Sequence, residues 1–111
     1  MNTQRLAKLK EYLEQDSQDP FLKYAIAQEY DRGSLTADAL HWYQKVQNEH
    51  PEYVANYYHY GKLLEKSGDQ TLALSVFATG MKKAELAGDR HALAELKEAY
   101  IQAGGEDDED W

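Results

Sequence analysis

Two pairs of side chains in this sequence carry ligand chemistry at helical spacing. Asp38 and His41 stand three residues apart, and His91 and Glu95 four apart. On a helix each spacing puts both groups on one face, so each pair would supply half of a tetrahedral metal site. Neither pair has a sequence partner to supply the other half, and both read as polar residues of exposed helix faces. There is no cysteine, hence no thiolate ligand and no disulfide framework. No glycine-rich phosphate loop, nucleophile elbow or zinc-protease signature occurs. His50, just ahead of Pro51, sits in a helix-end turn, where a histidine favours the dipole. The sequence therefore predicts no metal, no cofactor and no enzyme.

A second kind of chemistry, recognition of another protein, is better represented. One helical face collects Tyr24, Gln28, Asp31 and Arg32, and another collects Tyr58, Lys62, Glu65 and Lys66 with His59 beside it. Tyrosine offers large contact area at small entropic cost, which suits a binding surface. The two faces correspond because residues 20–51 and 54–85 are copies offset by 34 residues. That offset aligns Tyr24 with Tyr58, Ala27 with Gly61, Arg32 with Lys66, Ala39 with Ala73 and Tyr43 with Phe77. A period of this length, filled by two helices, is the mark of a stacked helical repeat.

The elements that must position these faces are six helices and no strand. Leu6, Leu9 and Leu13 mark a first helix over about 4–15, capped by Thr3. Asp19 and Pro20 cap and open a second, which ends at Gly33. Ser34 or Thr36 caps the third, which stops before Pro51; the fourth covers about 53–67 and closes at Gly68. Asp69 caps the fifth and Asp89 the sixth, which ends at Gly104 and Gly105. Turns this short require antiparallel packing of neighbouring helices. Tyr57, Tyr60, Gly61 and Leu64 form one apolar stripe at i, i+3, i+4, i+7. Gly61 and Ala73 let backbones approach, and the rings fill the space beside them.

The run Tyr57, Tyr60-Gly61, Leu64, Gly68-Asp69, Ala73, Phe77, Gly80 resembles the tetratricopeptide repeat motif, as does Ile26-Ala27, Tyr30, Ala39, Tyr43, Val46, Pro51. The resemblance covers about residues 20–85 and implies an all-α fold of antiparallel helix-hairpin repeats. On that basis residues 1–105 form one domain: a covering helix (1–18), repeats at 19–51 and 52–86, and a capping helix at 87–105. The chain departs from the motif at Lys23, where a large apolar residue is usual, so Leu22 is expected to pack there instead. Lys97 replaces a small residue in the last helix, as a terminal cap requires. Leu6, Leu9, Tyr12 and Leu13 are expected to cover the opposite end.

The resemblance further implies that the two recognition faces look into a concave groove that receives a peptide or helix. Tyr24 and Tyr58 would be aromatic platforms, and Gln28, Lys62 and Lys66 polar clamps. The alternative for Tyr24 and Tyr58 is ordinary packing between repeats. A family subtype that clamps chaperone carboxylates uses Lys, Asn and Arg where this chain has Tyr24, Gln28, His59 and Lys62, and that use is not supported. Trp42 reads equally as core or as an exposed contact.

Charge narrows the partner. The formal net charge is −8, and five acids fall in the tail Glu106–Trp111. Neither the tail nor the body has the basic footprint that nucleic acid or an anionic membrane requires. No apolar run approaches the ~20 residues of a spanning helix, and no secretion signal opens the chain, so the expected location is the cytoplasm. The tail, ending in Trp111, either stays solvated or docks on Arg32, Lys62 and Lys66. The expected function is an adaptor or scaffold binding a protein or peptide in the groove. The alternative is a self-assembling homodimer built through groove or tail.

Overall fold

The structure is a computed structural model that describes residues 1–106. Of the expected acidic tail, 106–111, the residues from Asp107 on lie outside the described residues. The described residues form six α-helices and no strand. These are α1 (Thr3–Gln15), α2 (Pro20–Arg32), α3 (Thr36–Glu49), α4 (Ala55–Lys66), α5 (Gln70–Ala87) and α6 (Arg90–Gln102). The chain divides into two compact units, Met1–Asn56 and Tyr57–Trp111. No helix among the described residues is long and apolar enough to cross a membrane.

Helix boundaries follow local chemistry, with three corrections to the sequence reading. Asn2, not Thr3, caps α1: its side-chain oxygen accepts the Arg5 N–H at 2.9 Å. Neither Ser34 nor Thr36 caps α3. The cap position is Leu35, which has no side-chain bond to give. The fourth helix starts at Ala55 instead of Tyr53. Asp19, Asp69 and Asp89 do cap as read, accepting from Phe21, Leu72 and Ala92.

Helix α2 stops at Gly33 as expected, but the left-handed turn that closes it falls one residue later. Gly33 has φ −84°, and the left-handed residue is Ser34 at φ 59°. The Leu35 N–H then reaches back to the Tyr30 carbonyl at 3.0 Å. The same closure recurs with glycine in the left-handed seat at Gly68, Gly88 and Gly104, where Asp69, Asp89 and Gly105 bond back to Leu64, Ala84 and Tyr100. Ser34 and Gly68 are 34 residues apart, so the two copies share the turn although only one has the residue that favours it.

In the first unit α1 lies on α2, and α2 pairs with α3. Leu6 and Leu9 of α1 meet Leu22, Ala25 and Ile26 of α2, with Leu13, Tyr30 and Trp42 packed around them. Trp42 is therefore half-buried against this cluster. Tyr12, expected in the covering face, is instead 50 % exposed. Ala27, Ala39, Tyr43 and Val46 are fully buried. Asn56, also fully buried, donates to the Tyr43 carbonyl at 2.9 Å and ties the start of α4 to α3.

Lys23 does not yield its seat to Leu22. Its side chain is only 4 % exposed, and its ammonium lies 2.7 Å from Glu49 Oε1 and 3.1 Å from His50 Nε2. Leu22 is buried too, but toward α1. A buried lysine is tolerated only when paired, and α3 supplies the pair at its last residue.

In the second unit the small residues act as read. A Cβ added at Gly61 would lie 2.6 Å from Phe77 Cδ1, and one at Gly80 would lie 2.5 Å from Tyr57 Cβ. So α4 and α5 touch where each in turn lacks a side chain. Leu96 of α6 reaches the same point at Gly80, at 3.2 Å. The side-chain amide of Gln70 donates to the Ala103 carbonyl and links the start of α5 to the end of α6.

Gly61→Ala should test the close approach. Alanine is the better helix former by about 1 kcal/mol, but overpacking against a fully buried ring costs about 1–3 kcal/mol. A net loss of stability is expected in urea denaturation, and a gain would contradict it.

Acid should loosen the first unit. The Lys23 bond first, then the Lys45 bond, holds the Glu49 carboxyl down at about 2. A group with a lowered folded pKa adds stability that is present at neutral pH and is lost as pH falls from the ordinary carboxylate range toward that value. Glu49→Gln should lower the melting temperature at pH ~7, and should make its further decline with acid shallower than in the parent.

Candidate interaction face

The eight residues proposed for recognition fall in two different settings. On α4, Tyr58 and His59 are half-buried, Lys62 is half-exposed and Lys66 is exposed in the last turn. The neighbours Tyr57 and Tyr60 are buried in the core, so successive residues of this helix divide between packing and surface. The Tyr58 ring meets the His59 ring edge-on, with centroids 5.4 Å apart and planes at 83°. Lys62 reaches Glu65 at 3.6 Å. Lys66 places its cation at the helix C-terminus, where the dipole favours it.

Tyr58 also forms one wall of a cleft of about 130 Å³, lined further by Glu95, Glu98, Ala99 and Gln102 of α6. These α6 residues were not singled out as a group by the sequence reading. A signal was present: 95, 98, 99 and 102 follow the i, i+3, i+4, i+7 pattern of a single helix face.

On α2 the corresponding residues are more committed to the fold. Tyr24 is 8 % exposed, tilted against Tyr43 at 6.4 Å and Tyr53 at 5.5 Å. Burial, with the nearby Tyr53 adding to it, pushes its hydroxyl up to about 12, because the phenolate would be desolvated. Burial likewise raises Tyr43, whose hydroxyl donates to Asp31 at 3.1 Å. Gln28 is half-buried. Arg32 donates to Glu29 at 2.6 Å.

Glu29 is the residue that sequence inspection missed entirely. Only 2 % exposed, it accepts the backbone N–H of Asn2 at 3.0 Å and also meets Arg5 at 3.3 Å. The Asn2 bond first, then the Arg32 and Arg5 cations, hold its carboxyl low against the opposing effect of burial. Arg5 of α1 is thereby recruited to α2. A lone glutamate in a helical stripe gives no sign of such a role, since two of its three partners come from the preceding helix.

Of the pairs with metal-ligand spacing, His91 and Glu95 meet each other at 3.3 Å on an exposed face. The His41 ring packs edge-on to Trp42, with centroids 6.0 Å apart. Among the described residues no group of three or more metal-capable side chains gathers.

The fold has clear counterparts among solved structures. A tetratricopeptide repeat domain protein from Salinibacter ruber, solved both in solution and in the crystal, matches over 78 % of this chain with a TM-score of 0.75. The identity is 35 % to the solution structure and 36 % to the crystal structure, covering 87 % and 98 % of those chains. A Bordetella parapertussis protein solved in solution matches at a TM-score of 0.74 with 21 % identity, over 88 % of this chain and 85 % of that one, which speaks to fold alone. No family model and no curated protein matches the chain. The architecture is that of helical-hairpin repeat modules. The chain belongs to the tetratricopeptide repeat family, a class of module that often mediates protein interactions.

The two tyrosines should separate on substitution. Tyr24→Ser empties a buried aromatic site and should cost about 2–4 kcal/mol. Tyr58→Ser, on a half-exposed surface, should cost less than about 1 kcal/mol. Equal losses in chemical denaturation would mean that Tyr58 is as much a packing residue as Tyr24.

Proposed function

We propose that this chain is a protein-interaction module that holds a peptide or helical segment of another protein on the α4 face bearing Tyr58, His59, Lys62 and Lys66, beside the cleft toward α6. The observation that carries this reading is the division of labour along α4. Tyr57 and Tyr60 are consumed by the core, while Tyr58 stands half-exposed as the wall of a cleft lined by polar side chains. An aromatic anchor ringed by adaptable polar groups is the composition of a binding hot spot.

On α2 the proposed contribution is smaller. Gln28 and Arg32 offer polar contacts, Asp31 is already an acceptor for Tyr43, and Tyr24 offers little more than an edge. A short array presents little area, so affinity for a single segment is expected to be about micromolar.

Peptides selected from a random display library against the whole chain would test this. Tyr58→Ser should weaken their binding by about tenfold or more, as for a modest hot spot, and leave the melting temperature nearly unchanged. Unchanged affinity would overturn the reading. Light scattering should give a monomer at every concentration, and a concentration-independent dimer would favour self-assembly instead.

A further inference from the structure

The cleft between α4 and α6 is selective in its chemistry. We propose that it receives an arginine side chain of the bound protein, an assignment that rests on the α4 face being an interaction surface. One wall is the Tyr58 ring, steadied edge-on by His59. The other is α6, with Glu95, Glu98 and Gln102 turned to the same cleft and the buried Ala99 between them. The small alanine leaves the depth, and the volume of about 130 Å³ suits one side-chain head group rather than a whole peptide segment.

Two carboxylates beside an aromatic face call for a cation and repel an anion. Their present partners are weak. Glu98 accepts from Gln102 at 3.3 Å, and Glu95 meets His91 at 3.3 Å, a histidine almost wholly exposed. Lys62, one turn along from Tyr58, is turned to Glu65 at 3.6 Å. A guanidinium fits these walls better than an ammonium. It is planar, stacks on a tyrosine ring, and presents a fork of donors to a carboxylate and to the Gln102 carbonyl oxygen together.

The test is an NMR titration of the full chain with the capped tripeptide acetyl-Gly-Arg-Gly-amide, run beside its lysine and glutamine counterparts. Saturable shifts are expected at Glu95, Glu98, Ala99 and Gln102 and at the Tyr58 ring with the arginine peptide. The glutamine peptide should give none, and the lysine peptide should bind several-fold more weakly. Replacing both acids, Glu95→Gln with Glu98→Gln, should weaken the arginine peptide by about tenfold or more, one lost charge-assisted contact. Glu85→Gln, an acid on α5 outside this cleft, should leave it unchanged. Shifts that grow without saturating, that spread over other acids, or that are equal for lysine and arginine would overturn the assignment. Its failure is distinct from failure of the interaction reading: a flat arginine titration, alongside library peptides that still depend on Tyr58, removes the arginine and keeps the face.

Discussion

At Gly80 an added Cβ would fall 2.5 Å from Tyr57 and 3.2 Å from Leu96, so three helices of the second unit converge where one of them has no side chain. Gly61 makes the reciprocal gap on α4, and the Phe77 ring fills it. The rings are fully buried only because the glycines let the backbones come that close, and dispersion falls off steeply if they cannot. The first unit solves the same problem with different parts. At the matching positions Ala27 stands for Gly61 and Tyr43 for Phe77, while Val46 takes the place of Gly80 and Lys23 that of Tyr57. The aromatic ring and the glycine have been exchanged together for a slender charged chain and a valine. A lysine stem has apolar length enough to line such a space, provided that its ammonium is met, and Glu49 meets it.

Most of the fold was legible because it rests on periodicity and punctuation. The 34-residue offset, the stripe of Tyr57, Tyr60, Gly61 and Leu64, and the aspartate caps are all local signals that the structure uses as read. What was not legible depends on partners distant in sequence. Lys23 looked like a defect until Glu49 came beside it from 26 residues away. Glu29 drew no notice in the sequence, because Asn2 and Arg5 reach it from α1. Helix α2 does stop at Gly33, yet the left-handed seat that closes it is taken by Ser34 and not by the glycine, and the sequence alone carries no sign of that. For the candidate site, the α4 face could be named from spacing, but its α6 wall could not, since that wall exists only once the two helices lie together.

The charged residues of the two units serve different ends. In the first, Lys23, Glu29, Arg5, Arg32, Lys45 and Glu49 are spent on one another, joining α1 to α2 and α2 to α3. Arg32 is held through Nη1 by a short bond to a buried carboxylate, so only its remaining donors are open to a partner. In the second, Lys62 meets Glu65 at 3.6 Å and His91 meets Glu95 on an exposed face, and such surface contacts are easily traded for another.

The amide of Gln70 crosses 33 residues to hold the Ala103 carbonyl. Terminal helices ordinarily fray from the free end, residue by residue. Here the last turn of α6 is stitched to the first turn of α5, so once the Gly105 bond to Tyr100 has gone, further unravelling must break a tie anchored in a different helix. A pull along α6 is thereby shared with residue 70, which makes this end of the helix a seam that bears load.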